Sequence, residues 1–221
     1  MKSQVLCVTR DALVELGLPV QNQSYGIYNI NPNDIKLNDF QLLNRKVVDC
    51  KKQDNQQYFE IGTLFPQILG YVVILNQYNQ ILTYSRGKGA EVRLKKRSIG
   101  FGGHCDIEDV FFLNNPVIKT SGLTNHHELL QVSIKREIKE ELGLDINYAN
   151  TSVIGLISDE TDEVGQVHVG YGLVLHVNSD DPKFQVDLNE ISDPRWATMA
   201  ELKDTVDQYE NWSQIIINNC F

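Results

Sequence analysis

Three glutamates stand close together in the second half of the chain, at a spacing that suits metal chemistry. Glu137, Glu140 and Glu141 occupy positions i, i+3 and i+4, and a helix places such positions on one face. Like charges at these spacings are mildly destabilising in an isolated helix. The pattern therefore indicates either a solvated helix surface or a site that holds a cation.

A cation at this position would have a definite chemistry. Carboxylate oxygens clustered on one rigid helix face are the ligands that Mg²⁺ and Mn²⁺ prefer. Hydrolysis of a phosphate anhydride uses such a cation, because charge on the non-bridging oxygens must be neutralised and a water must be activated beside phosphorus. Arg136 directly precedes the first glutamate and is placed to orient a carboxylate through charge-assisted hydrogen bonds.

The glutamates belong to a longer pattern that resembles the Nudix box, G-x5-E-x7-R-E-U-x-E-E-x-G-U, in which U is a bulky aliphatic residue. Gly122, Glu128 and the segment from Arg136 to Leu144 fill its positions. Each of seven fixed positions is filled by chance about once in twenty, so an accidental match has odds on the order of 10⁻⁹ per starting position. The chain thus resembles the Nudix hydrolases, and the resemblance covers roughly residues 66 to 206.

The resemblance implies roles for the residues of the box. Glu137, Glu140 and Glu141 would be catalytic acids that bind Mg²⁺ or Mn²⁺, and Glu137 would serve as ligand, general base or both. Arg136 and Glu128 would complete the catalytic set. Glu128 lies nine residues before Glu137, which is half a turn out of phase on a continuous helix. It is therefore expected at the site only if the helix begins after it.

The glycines depart from the family pattern. Members usually carry a Gly-Gly pair at the start of the box, and a glycine carbonyl then also contacts the metal. Gly102-Gly103 has this character but lies well upstream, whereas Gly122 has no glycine neighbour. The preferred interpretation treats residues 105 to 127 as an insertion and assigns the metal-binding carbonyl to Gly103, and the alternative is Gly122.

A basic stretch, residues 86 to 97, precedes the glycine pair. It holds six Lys or Arg residues and the single acid Glu91. Two interpretations are open, a solvated loop between strands and a surface that attracts the phosphates of a substrate. The substrate-binding candidates in this stretch are Arg86, Arg93, Lys95 and Arg97.

One more acid from a later loop is expected by resemblance. Glu190, shortly before Trp196, is one candidate and is also assigned to substrate binding. The other candidates form the group Glu160, Asp162 and Glu163. For any single one of these four acids, Glu190 included, a solvated loop residue is the favoured interpretation.

Hydrophobic periodicity predicts the elements that position these residues. Apolar residues recur every four positions from Leu130 to Leu142, which predicts a helix over residues 128 to 142 with Gly143 as its cap. Two apolar runs around the turn NQYNQ predict a β-hairpin over residues 68 to 85. The glutamate helix and this hairpin are the strongest local signals in the chain.

Weaker local signals predict the remaining elements. Strands are expected over residues 5 to 10, from residue 98 into the glycine turn, and over 151 to 158 and 166 to 177; helices are expected from a Thr198–Glu201 capping box and over 209 to 220, and a loop over 107 to 127. His168 in the 166 to 177 strand is interpreted as a structural histidine. Strands and helices mix without regular alternation, which predicts an α+β class with a mixed sheet. The resemblance implies a Nudix α/β/α sandwich over residues 66 to 221, with residues 1 to 65 as an N-terminal extension packed on it.

Composition narrows the partners. The 221 residues carry a formal net charge of −9, which disfavours nonspecific binding to nucleic acid or to anionic membranes. No apolar run approaches the roughly 18 residues that span a bilayer, and the N-terminus lacks the pattern of a secretory signal. The four cysteines form no CxxC pair and no Cys/His zinc spacing. A cytoplasmic protein without a membrane partner is therefore expected.

The predicted function is divalent-metal-dependent hydrolysis of a phosphate anhydride in a nucleoside diphosphate linked to another moiety, a small-molecule nucleotide. The alternative is a nucleotide-sensing Nudix domain that binds without cleaving. Degenerate domains of that kind tend to lose box glutamates, and every one is present here, which favours the enzyme. The sequence tags of several substrate subfamilies are absent, so the substrate is open. Many members form homodimers, but the sequence marks no interface.

Overall fold

The computed structural model describes residues 4–49, 51–86, 96–112, 126–178 and 191–221. The strands are β1 Gln4–Val8, β2 Tyr25–Tyr28, β3 Phe40–Asn44, β4 Gln67–Asn76, β5 Ile81–Arg86, β6 Arg97–Ser98, β7 Gly100–Phe101, β8 Thr151–Asp159, β9 His168–Val177 and β10 Ile191–Ala197. The helices are α1 Arg10–Glu15, α2 Arg45–Val48, α3 Gln56–Leu64, α4 Ile107–Phe112, α5 His126–Leu142, α6 Met199–Asp204 and α7 Asn211–Cys220. Within these ranges, no helix has the length and apolar character needed to cross a membrane.

The strands form one sheet whose order departs from the order along the chain. Its main path runs β10-β5-β4-β9-β8-β2, β1 pairs with β3 and β4, and the short β6 and β7 pair with β5 and β4. The predicted hairpin is confirmed as β4 and β5, which pair antiparallel. The strand predicted over residues 151 to 158 is β8, and the 166 to 177 strand is β9 after a short 3₁₀ turn.

The chain divides into two compact units by its internal contacts. The first unit comprises Met1–Gly70, Gly103–Ile134 and Gly155–Tyr171, and the second comprises Tyr71–Gly102, Lys135–Ile154 and Gly172–Phe221. The boundary predicted between residues 65 and 66 falls inside the first unit. The division into an extension and a Nudix domain stays a prediction.

The first unit is built on the N-terminal strands. β1 pairs antiparallel with β3, and Cys7 of β1 also pairs with Gln67 at the start of β4. Val5, Cys7 and Val48 form a fully buried cluster beneath these strands. Burial raises the pKa of the Cys7 thiol to about 12, so this cysteine is a packing residue, in line with the sequence interpretation.

The second unit contains the hairpin and the C-terminal helices. β10 pairs antiparallel with β5, and the Tyr84 ring stacks on Phe101 with ring centroids 4.5 Å apart. Glu210 caps α7 by accepting from the backbone N–H of Trp212 and Ser213, and it also accepts from the Tyr71 hydroxyl. Burial, together with the charge of Glu210, raises the pKa of Tyr71, which keeps that hydroxyl protonated as a donor.

The glutamate helix is present as α5, and it begins two residues earlier than predicted. The residues of the period-four pattern are fully buried, namely Leu130, Ile134, Ile138 and Leu142, which confirms that pattern. Gly143 ends the helix with φ of +68° and donates its N–H to the Lys139 carbonyl at 2.9 Å. This backbone conformation costs glycine less than any other residue. The predicted Thr198–Glu201 capping box is likewise confirmed at the start of α6.

The loop predicted over residues 107 to 127 is wrong in its first part. Residues 107 to 112 form α4, and residues 113 to 125 lie outside the described ranges. Asp106 precedes α4, and its N–H donates to the Asp109 carboxylate at 2.9 Å. This contact is one of the two hydrogen bonds of a capping box, the one in which the side chain of the third helical residue accepts from the backbone N–H of the residue that precedes the helix. The third helical residue is here an aspartate. The Asp-x-x-Asp spacing was therefore a usable local signal for the helix.

A close approach between β4 and α5 fixes the helix within the first unit. A Cβ placed on Gly70 would lie 2.3 Å from Cγ1 of Ile134. Real carbon atoms do not approach so closely, so only glycine lets the helix pack at this distance. The Gly70 N–H also donates to the Gly103 carbonyl at 3.1 Å, which ties the second glycine of the pair to β4.

We expect Gly70→Ala to lower the free energy of unfolding by about 1–3 kcal/mol, because the added methyl overpacks the contact with Ile134. Urea unfolding would measure the change. Ile134→Ala alone is costly because it opens a cavity, but in the Gly70→Ala background it gives the new methyl room. The double variant should therefore lose less stability than the sum of the two single variants. Additive losses would contradict the packing account.

Candidate active site

The three box glutamates lie on one side of α5 and differ stepwise in solvent exposure. Glu141 is buried, the Glu137 side chain is 19% exposed and the Glu140 side chain is 61% exposed. The set thus extends from the protein interior to solvent within little more than one helical turn. A polar ligand can reach Glu140 directly, whereas Glu141 is held by the surrounding structure.

Arg136 offsets the repulsion between two of these carboxylates. Its Nη1 donates to Glu137 Oε1 at 2.8 Å and to Glu140 Oε2 at 3.1 Å. One guanidinium nitrogen therefore joins both side chains through charge-assisted hydrogen bonds. The role of carboxylate orientation that the sequence suggested for Arg136 has this contact as its structural basis.

The glycine turn holds the third carboxylate. The backbone N–H of Gly102 donates to Glu141 Oε2 at 3.0 Å. Gly102 has φ of +133°, a conformation that L-residues rarely adopt. This backbone turn aims a donor at a buried carboxylate and fixes the orientation of Glu141.

The donor set fits a divalent cation in its chemistry. Three carboxylates supply hard oxygens, the ligand type of Mg²⁺ and Mn²⁺. In the observed side-chain positions, no three carboxylate, imidazole or thiolate groups of the described residues are gathered closely enough to hold an ion. Arg136 draws Glu137 and Glu140 towards itself, and Gly102 holds Glu141. Cation binding therefore requires Glu137 and Glu140 to exchange at least part of the Arg136 contacts for the ion.

The other box residue, Glu128, lies apart from this set. Because α5 begins at His126, the helix starts before Glu128, and the condition for its direct role is not met. Glu128 is exposed in the first turn, half a turn out of phase with Glu137. The geometry therefore does not bring Glu128 to the face that carries the other glutamates.

The candidate glycine ligands are only partly described. The Gly103 carbonyl accepts from Gly70, and a carbonyl oxygen has a second lone pair, so its role as a metal ligand stays a prediction. Gly122 lies outside the described residues.

The basic stretch is also only partly described. Arg93, Lys95 and Glu190 fall outside the described residues, and of Arg86 only the backbone is described, at the end of β5. The Arg97 side chain is 12% exposed. Its guanidinium donates to Thr83 Oγ1 from two nitrogens, and to Asp193 Oδ2 at 2.6 Å. Arg97 thus links β5 to β10, and the substrate contact expected from the sequence stays a prediction.

Glu160, the first acid of the later group, is buried and structural. Its carboxylate pairs with Arg10 at 2.9 Å, with the two side chains 1% and 5% exposed. It also accepts from the Ser24 backbone N–H at 3.0 Å and from the Ser24 hydroxyl at 2.7 Å. Sequence reasoning missed Arg10, since its partner lies far away in the chain. The favoured reading of Glu160 as a solvated loop acid is wrong because the carboxylate is enclosed.

The other two acids of the group hold backbone groups. Asp162 accepts from the Gly165 N–H at 2.8 Å, and Glu163 accepts from the Lys52 N–H at 3.3 Å. Both contacts are exposed. These positions agree with the solvated-loop interpretation for Asp162 and Glu163.

We expect Glu160→Gln to lower the free energy of unfolding by about 3 kcal/mol, because it leaves Arg10 buried without an opposite charge. Chemical denaturation would measure the loss. Glu163→Gln is the matched control, since it makes the same substitution on an exposed acid three residues away and should change stability by less than about 0.5 kcal/mol. Equal effects of the two variants would show that the Arg10–Glu160 pair is not a stabilising contact.

Comparison with known proteins places the chain in a family. No protein-family model matches it. The YmaB protein of Bacillus subtilis (strain 168) is 32% identical over 161 residues, which make up 70% of this chain and 70% of that protein. The crystal structure of Tm1382, which is assigned to the Nudix hydrolases, aligns with a TM-score of 0.70 at 19% identity, covering 99% of this chain and 100% of Tm1382.

A more distant structure is DR0079 from Deinococcus radiodurans, with a TM-score of 0.50 at 15% identity over 70% of this chain and 83% of DR0079. The alignment with Tm1382 confirms the predicted Nudix fold, of α+β class with a mixed sheet. The 32% identity with YmaB over 70% of each chain shows that the chain belongs to the YmaB family, and the alignment with Tm1382 shows that it has the Nudix fold.

Proposed function

We propose that the protein hydrolyses a phosphate anhydride in a nucleoside diphosphate linked to another moiety. The observation that carries the proposal is the glutamate set on one side of α5, with Arg136 joining Glu137 and Glu140 and with Glu141 held by Gly102. A surface helix that was only solvated would need neither a buried carboxylate nor a glycine turn aimed at it. The ligands of the divalent cation, Mg²⁺ or Mn²⁺, are the three glutamates.

When bound, the cation neutralises charge on the phosphate oxygens and makes an adjacent water more acidic. Glu141 is the fixed ligand, because it is buried and held by the Gly102 N–H. Glu140 is the ligand nearest to solvent and meets the incoming substrate first. Glu137 lies between them in exposure, where it serves as a ligand, as the acceptor of the water proton, or as both.

The bond changes follow from the chemistry of the anhydride. The oxygen of water forms a bond to one phosphorus, and the bond from that phosphorus to the bridging oxygen breaks. The water proton passes to a carboxylate, and the bridging oxygen leaves with the second phosphate. The part of the basic stretch that includes Arg93 and Lys95 is proposed to bind the distal phosphates or a second sugar, since local positive charge attracts polyanions.

A nucleotide sensor is the second candidate function. The observation in its favour is the pairing of Arg136 with Glu137 and Glu140, which leaves no described three-ligand cluster ready for an ion. A sensor would keep these ion pairs and bind nucleotide without cleavage. Retention of every box glutamate favours the enzyme over the sensor.

We expect Glu141→Gln to lower turnover by several orders of magnitude while leaving the fold intact. The glutamine oxygen can still accept from the Gly102 N–H, but the side chain loses the negative charge that a cation needs. The assay is a panel of ADP-ribose, NADH, nucleoside triphosphates and dinucleoside polyphosphates with Mg²⁺ or Mn²⁺, and mass spectrometry identifies the products. Circular dichroism monitors folding, and Glu60→Gln on the exposed side of α3 is the control.

The two functions give different outcomes in this assay. Cleavage that requires the cation and is lost in Glu141→Gln, but not in Glu60→Gln, supports the hydrolase. Hydrolysis at an unchanged rate in Glu141→Gln would contradict the assignment of the glutamate set as the active site. If no substrate of the panel is cleaved and calorimetry shows tight nucleotide binding, the result would favour the sensor.

Glu137→Gln separates the two roles of that residue. If Glu137 is mainly the general base, the variant should lose kcat and the acidic limb of its pH–rate profile, with the cation concentration for half-maximal activity unchanged. If it is mainly a ligand, that cation concentration should rise, and high Mn²⁺ should restore part of the rate. A variant with wild-type kcat and wild-type cation dependence would exclude both roles.

A further inference from the structure

Two histidines in the first unit face each other through the same ring nitrogen. His104 Nε2 and His168 Nε2 are 3.4 Å apart, and the ring planes are inclined by 69°. His168 is buried at the start of β9, and His104 follows the glycine pair and forms a bridge with Leu69 of β4. The proposed hydrolase uses neither imidazole.

The protonation of His168 is set by its other nitrogen. Nδ1 lies 2.7 Å from the Val164 carbonyl oxygen, which can only accept a hydrogen bond, so Nδ1 carries the proton. In the neutral ring, Nε2 then presents its lone pair on the side of His104 and Gln67. A histidine whose second nitrogen donates to a backbone carbonyl is the common arrangement of a metal-binding imidazole.

The spacing of the two nitrogens suits one tetrahedral ion. With metal–nitrogen bonds of about 2.05 Å, a separation of 3.4 Å corresponds to an angle of about 112° at the metal. Two further polar groups are near His168 Nε2. Asp49 Oδ1, directly after α2, lies 3.9 Å away, and the Gln67 side-chain N–H donates to Nε2 at 3.0 Å, a hydrogen bond that an ion at Nε2 has to replace.

A buried oxygen in this cluster has no partner. Gln67 is fully buried, and its Oε1 accepts no hydrogen bond within the part of the chain that the structure describes. The nitrogen of the same amide faces His168 and Val48, so this oxygen reaches an ion at the imidazoles only if the amide rotates when the ion binds. The Asp49 side chain is 39% exposed, so this third group is accessible from solvent.

We propose that His104 and His168, with Asp49 as third ligand, bind a divalent transition-metal ion such as Zn²⁺. No three ligand groups of the described residues already surround one point, so Asp49 must turn its side chain towards the imidazoles when the ion binds. Imidazole nitrogens favour Zn²⁺, Co²⁺ and Ni²⁺, whereas an all-carboxylate set favours Mg²⁺. The site is therefore distinct in chemistry from the glutamate set, and it does not depend on the proposed hydrolase activity.

The consequence of binding is a cross-link within the first unit. The three ligands come from the end of α2, the residues after the glycine pair and the start of β9. An ion that joins these segments binds only the folded chain, and it therefore stabilises that state in proportion to its free concentration.

The test uses the full chain in a Glu140→Gln/Glu141→Gln background, so that the glutamate set does not contribute. Co²⁺ is titrated while the visible absorption of the tetrahedral ion is followed, and Zn²⁺ affinity is obtained by competition with a chelator. We expect one Co²⁺ per chain with tetrahedral absorption, its displacement by Zn²⁺, and a higher thermal midpoint with Zn²⁺. His104→Asn should weaken Zn²⁺ binding on the order of 100-fold or more.

Variants distinguish ligands from bystanders. His168→Gln and Asp49→Asn should also weaken Zn²⁺ binding, whereas His176→Asn, which alters an exposed histidine later in β9, should leave it unchanged. His104 is only partly buried, so its variant decides the question even if His168→Gln fails to fold. An absence of tetrahedral Co²⁺ absorption, or equal Zn²⁺ affinity in His104→Asn and His176→Asn, would show that the imidazoles are only a hydrogen-bonded pair.

Discussion

Repulsion among three carboxylates on one side of α5 is the constraint around which the candidate site is built. Arg136 reduces this repulsion by donating from one nitrogen to both Glu137 and Glu140. The Gly102 turn reduces it by donating a backbone N–H to Glu141. Neither contact supplies as much positive charge as the set carries negative charge. A divalent cation would supply the remainder, and the set is therefore suited in charge to bind one.

The helix α5 tolerates the repulsion among its glutamates because its apolar side is packed in the core. Leu130, Ile134, Ile138 and Leu142 are fully buried, and Ile134 enters the space left by the missing side chain of Gly70. Gly70 also holds the Gly103 carbonyl. One small residue of β4 therefore positions both the helix and the second glycine of the pair.

Local signals made much of this predictable from the sequence. The glutamate helix, the β4–β5 hairpin and the Thr198–Glu201 capping box each depend on residues a few positions apart. The sequence pattern does not predict β2 and β3, because they are short strands that are held by pairing with β8 and β1. Such strands gain their stability from partners distant in sequence.

The charged residues show a second limit of sequence reasoning. Glu160 and Arg97 looked like candidates for chemistry, yet each is tied into a structural contact with a distant residue, Arg10 in one case and Asp193 in the other. Residue type alone does not distinguish a buried structural charge from a functional one. Burial and partners make that distinction, and only the structure supplies them.

The most direct measurement of the central claim is a titration with Mn²⁺, in which electron paramagnetic resonance measures the free ion. It would compare the wild-type chain with the Glu140→Gln/Glu141→Gln chain. If the α5 glutamates are the metal site, the wild type binds Mn²⁺ and the double variant loses most of that binding at unchanged thermal stability. Equal Mn²⁺ binding by the two chains would contradict the account, because the carboxylates would then be gathered for some purpose other than holding a cation.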